Sequence, residues 1–334
     1  MSTATKLVVA LALIAAPARA DDRAGFFHHI AAQLGARFDR LDAARAPQLV
    51  PPKPVAVTWR PQKLAPSLDL GAPLLALTAA DLDGDGRAEL YAVTPREVIA
   101  LAVTGGHVRE LGRVAFSGGL VARQPRDPVG AAIVAGRRLV ASSSSFAHTL
   151  VVSWHGKALA GDPGAPGFAL CAGETAQLAP GRDYFGDGAT ASYGARCRDD
   201  LATADGHPLH IRAQLSIAGK LDVAVARCEA GGTACVHDAD YTYAHVGIGF
   251  ELADLDGDGR PEVVIAGAGA PGEPDELRVV PLGDDEHKAK LRKAFTAGGI
   301  AGIAVGDVDG RGAPAVVAAV RLVGSSRVDL WRMN

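Results

Sequence analysis

One run of eight residues, ADLDGDGR, occurs twice in this chain, at Ala80–Arg87 and again at Ala253–Arg260. The match widens on both sides, LLALTAADLDGDGRAELYAV over Leu74–Val93 against GIGFELADLDGDGRPEVVIA over Gly247–Ala266. A third copy, AGIAVGDVDGRGAPAVVAAV over Ala301–Val320, keeps the frame of apolar run, Asp/Gly loop and apolar run. It retains Asp307 and Asp309 but carries Arg311 and Ala315 where the other copies have acids. A fainter fourth, Pro125–Ala135, keeps only the shape. The second and third loops begin 53 residues apart, and the first lies 173 residues before the second, about three such periods. Repetition constrains the fold because a small strand unit cannot bury its apolar face alone and must stack against copies of itself.

Around the loops the chain is a series of short apolar runs bounded by Gly, Pro and Asp. Among them are Leu90–Val93, Glu97–Val103, Ala131–Ala135, Thr149–Trp154, Leu221–Ala226, Leu277–Val280 and Arg327–Trp331. Runs of four to eight residues rich in Val, Ile and Leu predict strands, hence an all-β fold. Aromatic residues make up 5% of the chain, so the core must be built from Val, Ala, Leu and Ile. Glu286–Phe295 is ambiguous between helix and strand. A clear helical period lies at Arg23–Ala46, where Phe26, Ile30, Leu34, Phe38 and Leu41 form one stripe. That stripe suits either docking on a partner or packing on its own domain. A Pro-rich connector at 47–70 excludes helix, and Val55–Trp59 within it is a candidate strand. A cysteine-bearing insert is expected at about 165–240, where the repeat is lost.

The loops carry the chemistry. In Asp81-Leu82-Asp83-Gly84-Asp85-Gly86-Arg87-Ala88-Glu89, carboxylates stand at positions 1, 3, 5 and 9. Calcium takes six to eight hard oxygen ligands, and a chain curling about one ion aims alternate side chains inward. Gly84 and Gly86 permit the left-handed backbone such a curl needs. Arg87 is expected to turn its side chain to solvent and offer its carbonyl, with Glu89 closing the site directly or through water. The second loop repeats the set with Asp254, Asp256, Asp258, the Arg260 carbonyl and Glu262. An Asp/Gly turn without metal is the alternative, but carboxylates packed this closely repel one another unless a cation lies among them. An EF-hand does not fit, because position 12 is Ala92 or Ile265, inside an apolar run. The third loop keeps two carboxylates, too few to expect an ion.

Strand–DxDGDGxxE–strand units at about fifty residues resemble the FG-GAP/VCBS repeat family over roughly Leu74–Leu330. The resemblance implies a calcium-bearing β-propeller in which each loop joins adjacent strands of a blade and serves structure. Roughly 260 residues at a period of 53 allow about five blades, with six the alternative. After the last loop only two strands remain, so Val55–Trp59 is expected to complete the final blade and close the ring. The chain departs from the family pattern in its degenerate middle repeats and in the insert.

The first twenty residues read as a signal peptide: Lys6, the apolar run Leu7–Ala16, then Ala18-Arg19-Ala20 before a cleavage point after Ala20. The run is too short to span a bilayer, which needs ~20 apolar residues, and no later stretch qualifies. The expected location is therefore extracytoplasmic, periplasmic or secreted. Formal net charge is −3, and loss of Lys6 and Arg19 takes it to −5, with no basic stripe to recommend nucleic acid as a partner. An oxidising compartment favours disulfides. Of three possible pairings, Cys171–Cys197 with Cys228–Cys235 closes the shortest loops.

Other motifs carry less. Gly267–Gly272 matches G-x-G-x-x-G, but Pro271 and Pro274 oppose the helix a dinucleotide site requires. Ser142–Ser145 with His148 lacks a nucleophile elbow. His28-His29 has no acidic partner at metal spacing. Asp199, Asp200, Asp205, His207 and His210 form a loose polar cluster. The expected role is a binding or scaffold module for a protein or glycan, as a monomer or within an envelope assembly. The alternatives are a polysaccharide lyase or hydrolase on the same scaffold, and an envelope component docking through the N-terminal helix.

Overall fold

In a computed structural model the described residues are 52–121, 124, 128–171, 174–176, 192–216, 218–229, 234–269, 273–323 and 325–334. The helix expected at 21–46, the signal segment and His28-His29 lie outside them. The described chain is all-β and forms a five-bladed propeller, settling the blade count at the lower of the two expected values.

Two short N-terminal strands come first, β1 (Pro61–Lys63) and β2 (Leu68–Asp69). Blade one follows as β3 (Ala76–Ala80), β4 (Glu89–Val93), β5 (Glu97–Thr104) and β6 (His107–Ala115). Blade two is β7 (Gly130–Ala135), β8 (Arg138–Ser143), β9 (His148–His155) and β10 (Ala158–Pro166). A small hairpin, β11 (Phe168–Cys171) and β12 (Glu174–Ala176), precedes blade three. That blade is β13 (Ser192–Ala202), β14 (Pro208–Ser216), β15 (Leu221–Cys228) and β16 (Cys235–Tyr243). Blade four is β17 (Val246–Ala253), β18 (Glu262–Gly267), β19 (Asp275–Pro281) and β20 (Leu291–Phe295). Blade five is β21 (Gly298–Gly306), β22 (Ala315–Leu322) and β23 (Arg327–Met333), completed by β1. Every blade pairs antiparallel in chain order, and the ambiguous stretch resolves into one 3-10 turn, Glu286–Lys288, followed by β20.

Two expectations need correction. Among the described residues, the stretch expected as an insert at about 165–240 is largely blade three, preceded by the β11–β12 hairpin. The repeat is hidden there because the turn between β13 and β14 keeps a single Asp205-Gly206 pair in place of the D-x-D-G-D-G run, while the strands still alternate buried and exposed residues. Nor is Val55–Trp59 the closing strand. Trp59 holds φ at 54°, which interrupts extended backbone, and the Val55 N–H donates to the Asp256 carbonyl at 2.7 Å. Pairing begins at Pro61, opposite Met333, where an edge strand tolerates a proline.

The blades stack through layers of small aliphatic residues. Leu77, Leu90 and Ile99 of blade one meet Val317, Ala319 and Leu330 of blade five, with Leu64 of the closing segment fully buried among them. Equivalent layers join blades one and two, three and four, and four and five. Near the axis the inner strands approach so closely that a Cβ on Gly302 would lie 2.9 Å from that of Leu77. The closing segment also meets buried charge. Asp329 accepts from Ser67 Oγ at 2.5 Å and pairs with Lys63 at 2.6 Å, and Arg332 donates to Gln62 Oε1 at 2.6 Å.

The disulfides are Cys171–Cys197, tying the extra hairpin to blade three, and Cys228–Cys235, across the end of the β15–β16 hairpin. Among the described residues, no helix is long and apolar enough to cross a membrane.

Leu64 lies outside the repeats yet sits in the core, so Leu64→Ala is expected to cost about 2–5 kcal/mol in urea unfolding. A cost below roughly 0.5 kcal/mol, the range of surface substitutions, contradicts this role for the closing segment.

Candidate metal centre

The three loops occupy one frame. Each joins an inner strand to its neighbour, and the registers coincide: Ala80 faces Glu89, Ala253 faces Glu262, and Gly306 faces Ala315. Loop position 9 is thus the first residue of a buried strand, and Glu89 and Glu262 are 5% and 0% exposed. The glycines at positions 4 and 6 hold positive φ in all three loops: 81° and 88°, 68° and 81°, 67° and 76°. A side chain would be strained there. The first aspartate of each loop turns back to accept from the position-6 N–H, at 3.0 Å from Gly86, 3.0 Å from Gly259 and 2.6 Å from Gly312.

In the first loop Asp81, Asp83 and Asp85 bring carboxylate oxygens within 4.8 Å of one another. Among the described residues, no basic side chain forms an ion pair with them. Glu89 stands outside that group. Its Oε2 accepts from the Tyr91 hydroxyl at 3.0 Å and the Leu82 N–H at 3.4 Å, and the Tyr91 oxygen accepts from Trp154 Nε1 at 2.8 Å. Burial pushes the Glu89 carboxyl up to about 7, against the Tyr91 hydrogen bond. Burial also raises the Tyr91 hydroxyl. Arg87 is exposed, and its side chain passes Gly310 of the third loop, where an added Cβ would come within 2.8 Å of its Cγ.

The second loop gathers a different set, Asp254, Asp256 and Glu262, within the same 4.8 Å. Asp258 stands outside it. Lys290 lies among these acids, its Nζ 2.5 Å from Asp256 Oδ2, 2.6 Å from Glu262 Oε1 and 4.0 Å from Asp258 Oδ2. Asp254 Oδ1 and Asp256 Oδ1 are buried without a hydrogen-bond partner. Burial raises the carboxyls of Asp254 and Glu262. It opposes the Lys290 ammonium, but the hydrogen bonds to Asp256 and Glu262 outweigh it and raise that group too. Two neighbours cover the loop: a Cβ on Gly257 would lie 1.9 Å from the Lys53 carbonyl oxygen, and one on Gly259 2.2 Å from the Ala204 nitrogen. Arg260 donates to the Leu282 carbonyl at 2.8 Å and pairs with Asp284 at 3.3 Å, fastening the loop to the β19–β20 turn. The third loop also holds a basic group, since Arg332 hydrogen-bonds Asp309.

Hard oxygens in this convergence suit calcium. The first loop fits such an ion with its own carboxylates, whereas the second presents its unpartnered oxygens beside an ammonium. Tyr91, Lys290 and Arg332 were not expected from the sequence. Lys290 follows Glu262 by 28 residues and Arg332 follows Asp309 by 23, so only strand pairing brings them to the loops.

The remaining motifs do not converge. His210 bonds Asp199, Asp200 pairs with Arg198, and His207 lies 3.5 Å from Asp205, all on the β13–β14 hairpin. Ser142 accepts from the Ala169 N–H and Ser143 donates to the Pro95 carbonyl, both structural roles. Gly267 ends β18 and the next described element is strand β19, not a helix. A cleft at the axis is lined by Leu74, Leu77, Phe250, Ile303 and Arg196, and Arg196 stacks over the Phe250 ring at 5.4 Å.

Fold and loops together define the class as a five-bladed propeller with acidic loops at its strand junctions. No protein-family model matches the chain, and no curated protein matches it.

In chelator at pH 7, Glu262→Gln is expected to cost about 1–3 kcal/mol, because it leaves the half-buried Lys290 with an incomplete partner set. Glu89→Gln, which removes a buried charge with no basic partner, should cost less than half as much. Equal losses by urea unfolding would contradict the difference between the loops.

Proposed function

We propose that this chain is an exported, calcium-stabilised β-propeller of the FG-GAP/VCBS type that serves as a binding or scaffold module for a protein or glycan. The observation that carries the reading is the convergence of Asp81, Asp83 and Asp85 in a loop that opens onto a buried strand. Three carboxylates held this close favour a cation strongly, and the loop already has the required left-handed glycines. Calcium there acts as a clip between β3 and β4. Asp81, Asp83 and Asp85 would hold it directly, with Glu89 reaching it through water, and Asp254, Asp256 and Glu262 are the related converging set, with Asp258 outside it. Export is supported by the N-terminal segment and by two disulfides, which persist in oxidising compartments. Binding is assigned to the loops at the propeller faces, since loops on a rigid scaffold carry recognition.

Thermal unfolding tests the calcium reading. At free calcium a hundredfold above the dissociation constant, one site adds about 2.7 kcal/mol, a rise of several degrees over chelator. Asp83→Ala should abolish most of that rise, and an unchanged midpoint in the wild type sinks the reading. Export is checked by N-terminal sequencing of the native protein, which should begin at Asp21. Affinity purification of that protein with and without calcium should then return the same protein or glycan, more weakly in chelator.

A further inference from the structure

We propose that Lys290 is the resident counter-ion of the second loop and makes two loops of identical core sequence unequal. The Asp81–Glu89 loop takes a divalent cation, whereas the Asp254–Glu262 loop is held closed by the Lys290 ammonium and takes one far more weakly. The inference rests on the reading that the first loop binds calcium.

The ammonium touches Asp256 and Glu262, two of the three residues that converge in this loop, at 2.5 and 2.6 Å. It therefore stands among the oxygens a metal would use, and a divalent ion entering beside it meets like charge at short range. Lys290 is also tethered. Its backbone N–H donates to the Val279 carbonyl at 2.8 Å, at the start of β20, so the side chain competes as part of the fold and is never diluted.

Among the described residues, blade one has no such group paired with its loop carboxylates. Glu89 and Glu262 mark the same register, so Tyr91 corresponds to Val264, and their partners on the third strand are Ala100 and Val279. On the fourth strand those residues face Gly112 and Leu291. The residue before Leu291 is Lys290, and the residue before Gly112 is Leu111, a partly buried apolar side chain. The third loop repeats the device with another residue, Arg332 on Asp309, from β23. Two of three loops thus carry a basic side chain on their carboxylates, whereas at the first Arg137 donates to the Leu82 and Asp83 carbonyls and forms no ion pair with the acids. The second loop nonetheless keeps two buried carboxylate oxygens without partners, Asp254 Oδ1 and Asp256 Oδ1. Those oxygens are what a metal would gain if Lys290 were removed.

Calorimetric titration of the metal-free full chain with calcium tests this. Wild type should bind one tight equivalent, which Asp83→Ala removes. Lys290→Met should bind two, the second about tenfold or more tighter than any weak phase in wild type. Lys290→Arg should stay at one, and Asp83→Ala with Lys290→Met should keep one, at the second loop. Should Lys290→Met fail to fold without metal, Lys290→Gln carries the same expectation. Two equivalents of similar affinity in wild type, or one in the charge-removing variants, overturns the role of Lys290 and leaves the calcium reading standing. No binding by wild type or by Lys290→Met overturns both.

Discussion

Closure of the ring is the constraint on which the rest of this structure depends. Blade five has three strands of its own, and its outer edge is covered by Pro61–Lys63 from the other end of the chain. Backbone pairing is only part of that contact. Asp329 and Arg332 are both buried, and both find partners among residues 62–67. Without those partners two charges would be left incompletely paired in a low-dielectric layer, which costs far more than the pairing itself contributes. Closure also places the end of the ring against its start, and the Ala88 N–H donates to the Asp307 carbonyl at 2.9 Å. The first loop is therefore held by blade five as well as by its own strands.

Buried carboxylates are the second theme. A strand that begins with glutamate at a buried position must supply that group with hydrogen bonds or a counter-charge. The chain uses three solutions in one frame. Glu89 leans on a tyrosine hydroxyl that is itself held by Trp154. Glu262 is paired with the ammonium of Lys290, the residue just before the outer strand. At the third loop alanine replaces the glutamate, and the remaining Asp309 is paired with a guanidinium. Identical loop sequence does not mean identical electrostatics, because the deciding group belongs to a different strand in each blade.

Most strands were legible as short Val- and Leu-rich runs, since a blade buries both faces of its inner strands and tolerates little polarity there. The disulfide pairing was legible from spacing. Blade three was not, because its β13–β14 turn keeps one Asp-Gly pair in place of the D-x-D-G-D-G run that marks the repeat, and a stretch without that run reads as an insert. Val55–Trp59 suggests itself as the closing strand because only two strands follow the last loop, yet a strand count does not name the partner. Trp59 has left-handed backbone and Val55 is engaged with Asp256, so pairing starts at Pro61.

What the sequence determined by itself was the unit: strand, acidic loop with two left-handed glycines, strand, recurring at a period that favours a propeller. Those features are local, written within twenty residues, and need no distant partner to specify. What only the tertiary structure decided was the number of blades, the identity of the closing strand and the counter-charge at each loop. Each of these depends on residues tens to hundreds of positions apart. Lys290 reaches Glu262 across 28 residues and Gln62 reaches Arg332 across 270. Side chains so far apart in the chain meet only after the sheets have stacked, so no reading of the loop alone shows which charge lies beside it.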